Sequence, residues 1–224
     1  MFRRDESGTI RVMSQPELCT TVIERLVAPR DAHRGALRVA AVLFVAALTA
    51  AAAQVSVPLP FTAVPFTFQP MVVLLGGLVL GARLALASQL VYLAAGIAGL
   101  PVFAASATLP PGALRLMGPT GGYLMSYPVA AWLVGSLAER GLDRRYLTSV
   151  VAMLAGLFVV YGCGATWLAF FARTAAPTTP IGVPAALAAG VYPFIAADVL
   201  KVLAAAGVLP GFWRLLGRTG CAPP

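Results

Sequence analysis

Long apolar stretches separated by short polar segments fill the chain from about residue 36 onward. Six of them suit helices that cross a membrane, which takes about 20 apolar residues, although the second is short. They cover residues 37–56, 68–82, 84–99, 119–138, 147–171 and 187–209. The pattern therefore predicts an all-α, polytopic integral membrane protein with six transmembrane helices, formed by one domain over residues 36–218.

Composition and charge support a membrane protein. Of the 224 residues, 59% are hydrophobic and 11% are charged, which is more apolar surface than a soluble domain of this size can bury. The net charge of +8 would suit nucleic acid in a soluble protein. Here, however, basic residues lie at the ends of apolar stretches, where they mark the cytoplasmic side of a bilayer. We therefore expect the lipid bilayer, and no nucleic acid, as a partner.

The arginines predict the orientation of the six helices. Most fall on one side of the six-helix arrangement, and Arg115 and Arg173 fall on the other. The positive-inside rule then places both termini in the cytoplasm. Residues 1–35, which hold most of the acidic residues, are expected to form a cytoplasmic tail. The arginines on the cytoplasmic side are Arg34, Arg38, Arg83, Arg140, Arg144, Arg145, Arg214 and Arg218.

Two long connections face outward in this arrangement. Residues 57–70 (VPLPFTAVPFTFQP) are too rich in proline for regular helix. Residues 101–117 are long enough to form a cap or lid. The outer face is therefore where a binding site is expected.

Two charged residues lie within the last apolar stretch. Lys201 is the only lysine of the chain, and Asp198 is the only acidic residue outside the tail and residues 139–143. Their spacing of three puts them on one helix face. If Pro193 opens the helix, they lie about 7 and 12 Å below its outer end. They form either an ion pair that fixes packing or a polar pocket open to the exterior, which we favour because charge in a membrane usually marks a functional site.

Other candidate polar groups lie near the outer loops. Gln69 lies just before Pro70 at the outer mouth, and Tyr92 lies within the third stretch, where it could equally be a core residue. The segment GPTGGYL at 118–124, which includes Gly121 and Tyr123, opens the fourth helix. A glycine-rich helix start leaves backbone N–H groups to face a pocket, or allows close packing against a neighbouring helix.

Small residues recur at a spacing of four, which lets helices approach closely in lipid. The first stretch offers Ala47 with Ala51, or Ala46 with Ala50. These pairs serve internal packing or dock another membrane subunit.

The sequence offers little for catalysis or metal binding. It has one histidine, His33, and no GxxxxGK[ST] phosphate-binding loop. The three cysteines form no close pair or metal-ligand spacing. We therefore expect no metal or cofactor and no enzymatic activity, with any ATP hydrolysis confined to partner chains.

Four stretches between residues 57 and 201 resemble one known family. They are the proline-rich segment, LLGGLVLGARLALASQLVYLAAGIAGLPVFA, GPTGGYL and PFIAADVLK. Together they identify the chain as resembling the BioY family, the biotin-specific S components of energy-coupling factor (ECF) transporters.

This resemblance implies six helices with cytoplasmic termini in the bacterial inner membrane. It implies biotin capture under the outer loops, a transmembrane coupling subunit (T component) and two ATP-binding cassette ATPases. Ala47 with Ala51, or Ala46 with Ala50, match the family's docking signature. With biotin as the ligand, Asp198 can accept from the ureido N–H groups and Lys201 can pair with the carboxylate or bridge to it, and which residue contacts which end stays open. Gln69, Tyr92, Phe103, Tyr123 and Gly121 would complete the site.

Three alternatives remain open from the sequence. The chain is an S component for another vitamin, a solitary carrier driven by protons or membrane potential through Asp198, or a structural membrane scaffold. The first is disfavoured because the outer region has few aromatic residues for an aromatic cage. The last leaves the isolated lysine and aspartate unexplained.

Overall fold

Eight α-helices make up most of the chain that the computed structural model describes, which is residues 3–4, 10–11, 34–105, 112–172 and 181–215. Short helical turns cover Ala113–Met117 and Ala138–Leu142. Two antiparallel pairs of two-residue strands join β1 (Arg3–Arg4) to β2 (Ile10–Arg11) and β3 (Ser56–Val57) to β4 (Phe66–Thr67). The predicted all-α class is confirmed. The helices are α1 (Arg34–Gln54), α2 (Gln69–Leu80), α3 (Ala82–Ile97), α4 (Gly121–Leu137), α5 (Tyr146–Phe170), α6 (Val183–Gly190), α7 (Tyr192–Ala206) and α8 (Val208–Leu215).

Helix α4 lies at the centre and packs against α2, α3 and α5. Small residues allow this close approach. A Cβ atom at Gly77 of α2 would lie 2.9 Å from the carbonyl oxygen of Ala131, and one at Gly135 would overlap the backbone of Ala82. Gly77, in the second apolar stretch, thus serves close helix packing. Ala130 and Val134 of α4 are fully buried in the resulting core.

Three segments of the described chain are long and apolar enough to cross a membrane: Gly35–Gln54, Tyr146–Phe170 and Tyr192–Gly211. Helix α2 has only 12 residues, so it is about 18 Å long against a hydrocarbon thickness of about 30 Å. We therefore expect residues 55–68, which precede it, to supply the rest of this passage on the predicted outer side. Irregular backbone is tolerated at membrane depth where it lines a cavity.

The sixth apolar stretch is divided into α6, α7 and α8, whereas the sequence pattern predicted one run over 187–209. Pro193 has no N–H group, so the Ala189 carbonyl loses its helical donor. The Thr62 hydroxyl donates to that oxygen instead, over 2.7 Å. The next carbonyl, of Gly190, accepts from the Tyr123 hydroxyl at 2.8 Å. Thr62 and Tyr123 therefore supply the donors for the two carbonyl groups at the break between α6 and α7. The number of membrane passages stays at six, and the last passage is divided into segments.

Charged residues gather at the end of the bundle away from the proline-rich segment. Glu139 accepts a hydrogen bond from the Ala82 N–H at 2.8 Å, which holds the turn between α2 and α3 beside residues 138–145. Arg83, Arg140 and Arg145 are exposed there. This clustering agrees with the predicted cytoplasmic end, and the orientation itself stays a prediction.

Candidate functional site

A cavity of about 270 Å³ lies where residues 58–70 meet residues 103–105, Arg115 and helices α4, α5 and α7. Both long outer connections of the sequence thus contribute to one pocket. Four predicted residues line it: Gln69, Phe103, Tyr123 and Asp198. The structure also brings Tyr92 and Lys201 against these lining residues. Tyr92 contacts Gln69 and Phe103, and Lys201 contacts Asp198.

Asp198 forms the charged part of the cavity wall. Its side chain projects from the second turn of α7, whose first turn contains Pro193. Both carboxylate oxygens are already hydrogen-bonded: Lys201 Nζ donates to Oδ1 at 2.8 Å, and the Tyr161 hydroxyl donates to Oδ2 at 2.6 Å. A carboxylate offers about four acceptor positions, so capacity remains for donors that enter the cavity.

Lys201 lies behind Asp198 and does not line the cavity. Its ammonium group donates to the Thr67 carbonyl at 2.7 Å as well as to Asp198. The ring centroids of Phe66 and Phe68 lie 3.6 and 5.0 Å from Nζ, in the range of cation–π attraction. The ion pair is 6–8% exposed, so these contacts compensate for the removal of two charges from water. Lys201 thereby ties α7 to β4.

Gln69 and Tyr92 connect the start of α2 to the second outer connection. Gln69 Nε2 donates to the Tyr92 hydroxyl at 2.6 Å, and that hydroxyl donates to the Val102 carbonyl at 3.3 Å. The Phe103 ring meets the Tyr92 ring edge to face, with centroids 5.5 Å apart. A Cβ atom at Gly96 would overlap the Phe103 ring. Glycine at 96 therefore allows Phe103 to lie against α3 and close one side of the cavity.

The GPTGGYL segment combines one lining residue with tight packing. Tyr123 lines the cavity, whereas Gly121 does not, and a Cβ atom there would overlap the Leu116 carbonyl. A Cβ atom at Gly122 would meet the Cys163 carbonyl oxygen at 2.7 Å. The Trp167 indole donates to the Gly118 carbonyl at 3.0 Å. The structure thus gives Gly121 the close-packing role that the sequence left open.

The alanines of α1 separate into two faces. Ala47 and Ala51 are exposed, whereas Ala46 is buried and Ala50 packs against the core. Of the two pairs that the sequence offered for docking, only Ala47 with Ala51 lies on an open surface. Leu48 and Phe44 are exposed beside Ala47.

Most lining residues were not predicted as site residues, and three of them, Tyr161, Tyr127 and Arg115, carry polar groups that matter below. Tyr161 and Tyr127 lie within apolar stretches and carry no signal by spacing. Arg115 was recognised only as a charge on the outer side. Its guanidinium donates to the Ala104 carbonyl at 2.6 Å, and partial burial lowers its pKa, although a guanidinium stays charged at neutral pH. The cavity therefore has an anionic group in its wall and a cationic group in the second outer connection.

Comparisons with known proteins agree with this architecture. A crystal structure of the S component for biotin from an ECF-type ABC transporter superposes with a TM-score of 0.70, covering 84% of this chain and 95% of that one. The two sequences are 23% identical, so this likeness concerns the fold.

Several known proteins have sequences more similar to this chain than that of the crystal structure. A probable biotin transporter BioY of Pyrococcus horikoshii is 41% identical over 177 residues, which cover 79% of this chain and 94% of the relative. A biotin transporter BioY of Thermotoga maritima is 34% identical over 160 residues, with coverage of 71% and 86%. The model of the BioY family matches residues 25–218. The chain is a member of the BioY family.

Proposed function

We propose that this chain is the biotin-binding subunit, or S component, of an ECF-type vitamin uptake transporter. The observation that carries the proposal is the buried Asp198 carboxylate in the cavity wall, fixed by Tyr161 and Lys201. A small neutral ring with N–H donors matches such a group, because charge-assisted hydrogen bonds are about twice as strong as neutral ones. The names of the sequence relatives and the fold of the biotin S component point to the same ligand.

The ureido ring of biotin is proposed to lie against Asp198. Its N–H groups donate to the carboxylate positions that Lys201 and Tyr161 leave open. Lys201 holds Asp198 in place from behind, because its ammonium is surrounded by Asp198, the Thr67 carbonyl and the Phe66 ring. This arrangement favours Asp198 as the contacting residue and Lys201 as a positioning residue.

The carboxylate of biotin is proposed to pair with Arg115. Arg115 lines the cavity from the second outer connection, close to Ala104. A guanidinium offers five N–H donors in a fixed plane, which suits a carboxylate. Phe103 and Tyr123 flank the space between the two ends and suit the apolar thiophane ring and acid chain.

Uptake is proposed to need partner chains in the bacterial inner membrane. The helix face with Ala47 and Ala51 docks a transmembrane coupling subunit, and ATP-binding cassette ATPases supply the energy. A solitary proton-driven carrier is disfavoured because Asp198 is held by an ion pair with Lys201 at 2.8 Å and a hydrogen bond from Tyr161, an arrangement that suits a fixed ligand contact.

Calorimetric titration of the purified full chain with biotin tests the function. We expect stoichiometric binding that Asp198→Ala abolishes, whereas Glu139→Ala, at the other end of the bundle, leaves binding unchanged. Absence of binding by the wild-type chain would refute biotin as the ligand, and a panel of other vitamins would then identify the substrate. Reconstitution with and without coupling subunits and ATPases separates ATP-driven from solitary uptake.

A further inference from the structure

Four tyrosines lie around the cavity, and the hydroxyl groups of three of them donate hydrogen bonds within the protein. Tyr92 donates to the Val102 carbonyl, Tyr123 to the Gly190 carbonyl and Tyr161 to Asp198. The fourth, Tyr127, lines the cavity and is 3% exposed. Among the described residues, its hydroxyl has no hydrogen-bond partner. The hydroxyl oxygen keeps some accessible surface at the cavity that Tyr127 lines, so an atom of a bound ligand can accept its proton.

Tyr127 lines the cavity from α4. It follows Thr120, another lining residue, by seven positions on the same side of α4, which is two helical turns or about 10 Å. Asp198 and Tyr123 line the same cavity, and Tyr161, which also lines it, donates to Asp198. A neutral donor therefore shares the cavity with the acidic acceptor.

Among the four tyrosines, Tyr127 has the hydroxyl proton for which the described residues offer no acceptor. Lys201 is covered by Thr67, Asp198 and Phe66, and the Tyr161 proton is directed to Asp198. The amide nitrogen of Gln69 donates to the Tyr92 hydroxyl, because that hydroxyl uses its own proton on Val102. In a ureido ring, the carbonyl group lies between the two N–H groups. When an N–H group donates to Asp198, the adjacent carbonyl oxygen needs a hydrogen-bond donor of its own.

We propose that the Tyr127 hydroxyl donates a hydrogen bond to the ureido carbonyl oxygen of the ligand and so determines specificity for that oxygen. The inference rests on the proposed function, because it takes biotin as the ligand. A site built to hydrogen-bond a ligand group rejects analogues that lack the group. Tyr127 therefore selects for the carbonyl, and Asp198 selects for the adjacent N–H.

The test compares biotin with 2-thiobiotin, in which sulfur, a weaker acceptor, replaces the ureido oxygen. We expect the wild-type chain to prefer biotin. Tyr127→Phe, which removes only the hydroxyl, lowers biotin affinity about tenfold, equivalent to about 1.4 kcal/mol, and brings the ratio of the two affinities close to one. Tyr161→Phe weakens both ligands but keeps the ratio. Tyr192→Phe, an exposed tyrosine outside the cavity, changes neither affinity.

Thermal unfolding of each variant in detergent checks that it is folded. An unchanged ratio in folded Tyr127→Phe overturns the inference. If that variant does not fold, the wild-type chain still decides: equal affinities for biotin and 2-thiobiotin overturn the role of Tyr127 while leaving the proposed function intact. A wild-type chain that binds neither ligand refutes the proposed function itself.

Discussion

The Lys201 ammonium lies 3.6 Å from the centre of the Phe66 ring. Lys201 belongs to α7 and Phe66 to β4, so the contact joins the last membrane passage to the outer proline-rich segment. The same ammonium donates to the carbonyl of Thr67, the residue after Phe66. One buried charge therefore holds the strand that precedes α2 and the carboxylate in the cavity wall.

Phe66→Leu tests the aromatic part of this contact. Leucine keeps the apolar bulk but loses the cation–π attraction, which is worth about 2 kcal/mol in a desolvated setting. We expect a lower unfolding temperature and weaker biotin binding, measured by differential scanning fluorimetry and calorimetry. Phe61→Leu is the matched control, because Phe61 is 65% exposed in the same segment. Equal effects of the two changes would contradict a specific role for Phe66.

Lys201→Ala leaves Asp198 as a buried charge with one donor fewer. We expect biotin binding to weaken by about 2–5 kcal/mol, as for loss of one member of a buried charge pair. Arg145→Ala, an exposed cation at the opposite end of the bundle, should leave the titration unchanged. If Lys201→Ala binds biotin like the wild type, Lys201 does not position Asp198.

Arg115→Gln separates recognition of the ligand's acid group from recognition of its ring. The wild-type chain should prefer biotin to its uncharged primary amide. In the variant that preference should fall about tenfold or more, because a charged hydrogen bond contributes about 1.5–3 kcal/mol. Arg83→Gln removes an exposed charge outside the cavity and should keep the preference. A preference that survives Arg115→Gln would assign the carboxylate to another cation.

Gly96→Ala tests how Phe103 closes the cavity. A methyl group at 96 overlaps the Phe103 ring, so the ring and residues 101–105 must move. We expect weaker binding of biotin with the overall fold retained, as followed by calorimetry and circular dichroism. Gly162→Ala places a methyl group in open space on α5 and should be neutral or stabilising by up to about 1 kcal/mol. Unaltered binding in Gly96→Ala would show that Phe103 can shift without consequence.

Ala47→Trp and Ala51→Trp place large side chains on the exposed face of α1. Because neither position touches the cavity, biotin binding should stay intact while ATP-driven uptake with coupling subunits and ATPases is lost. Leu147→Trp changes another exposed apolar position, on α5, and should keep uptake. Uptake that persists in both alanine variants would move the docking surface elsewhere.

The sequence predicted the helices well because long apolar runs have few alternatives in a membrane. The predicted first, fourth and fifth runs, 37–56, 119–138 and 147–171, correspond to Arg34–Gln54, Gly121–Leu137 and Tyr146–Phe170. The apolar pattern predicted one run over 187–209, although Pro193 was considered as a helix start, and the helix α7 does begin beside it. The groups that stabilise the break, Thr62 and Tyr123, could not be predicted because they are distant in sequence.

The charged pair of the site was also predictable, because an aspartate and a lone lysine within an apolar run stand out from their surroundings. Tyr161 and Tyr127 could not be predicted as site residues. A tyrosine in an apolar helix is indistinguishable from a core residue until the neighbours of its hydroxyl group are known. The division of roles between Asp198 and Lys201 depends on which side chain faces the cavity. Their shared helix face could not decide that.

The burial of Lys201 also has a use in labelling chemistry. It is the only side-chain amine of the whole sequence, and it is 8% exposed beneath Phe66 and Thr67. An amine-reactive reagent can modify this side chain only when the proline-rich segment moves away from α7. The wild-type chain, without any engineered residue, therefore carries its own reporter of this contact, and the extent of acylation with and without biotin tests whether the ligand holds the segment against α7.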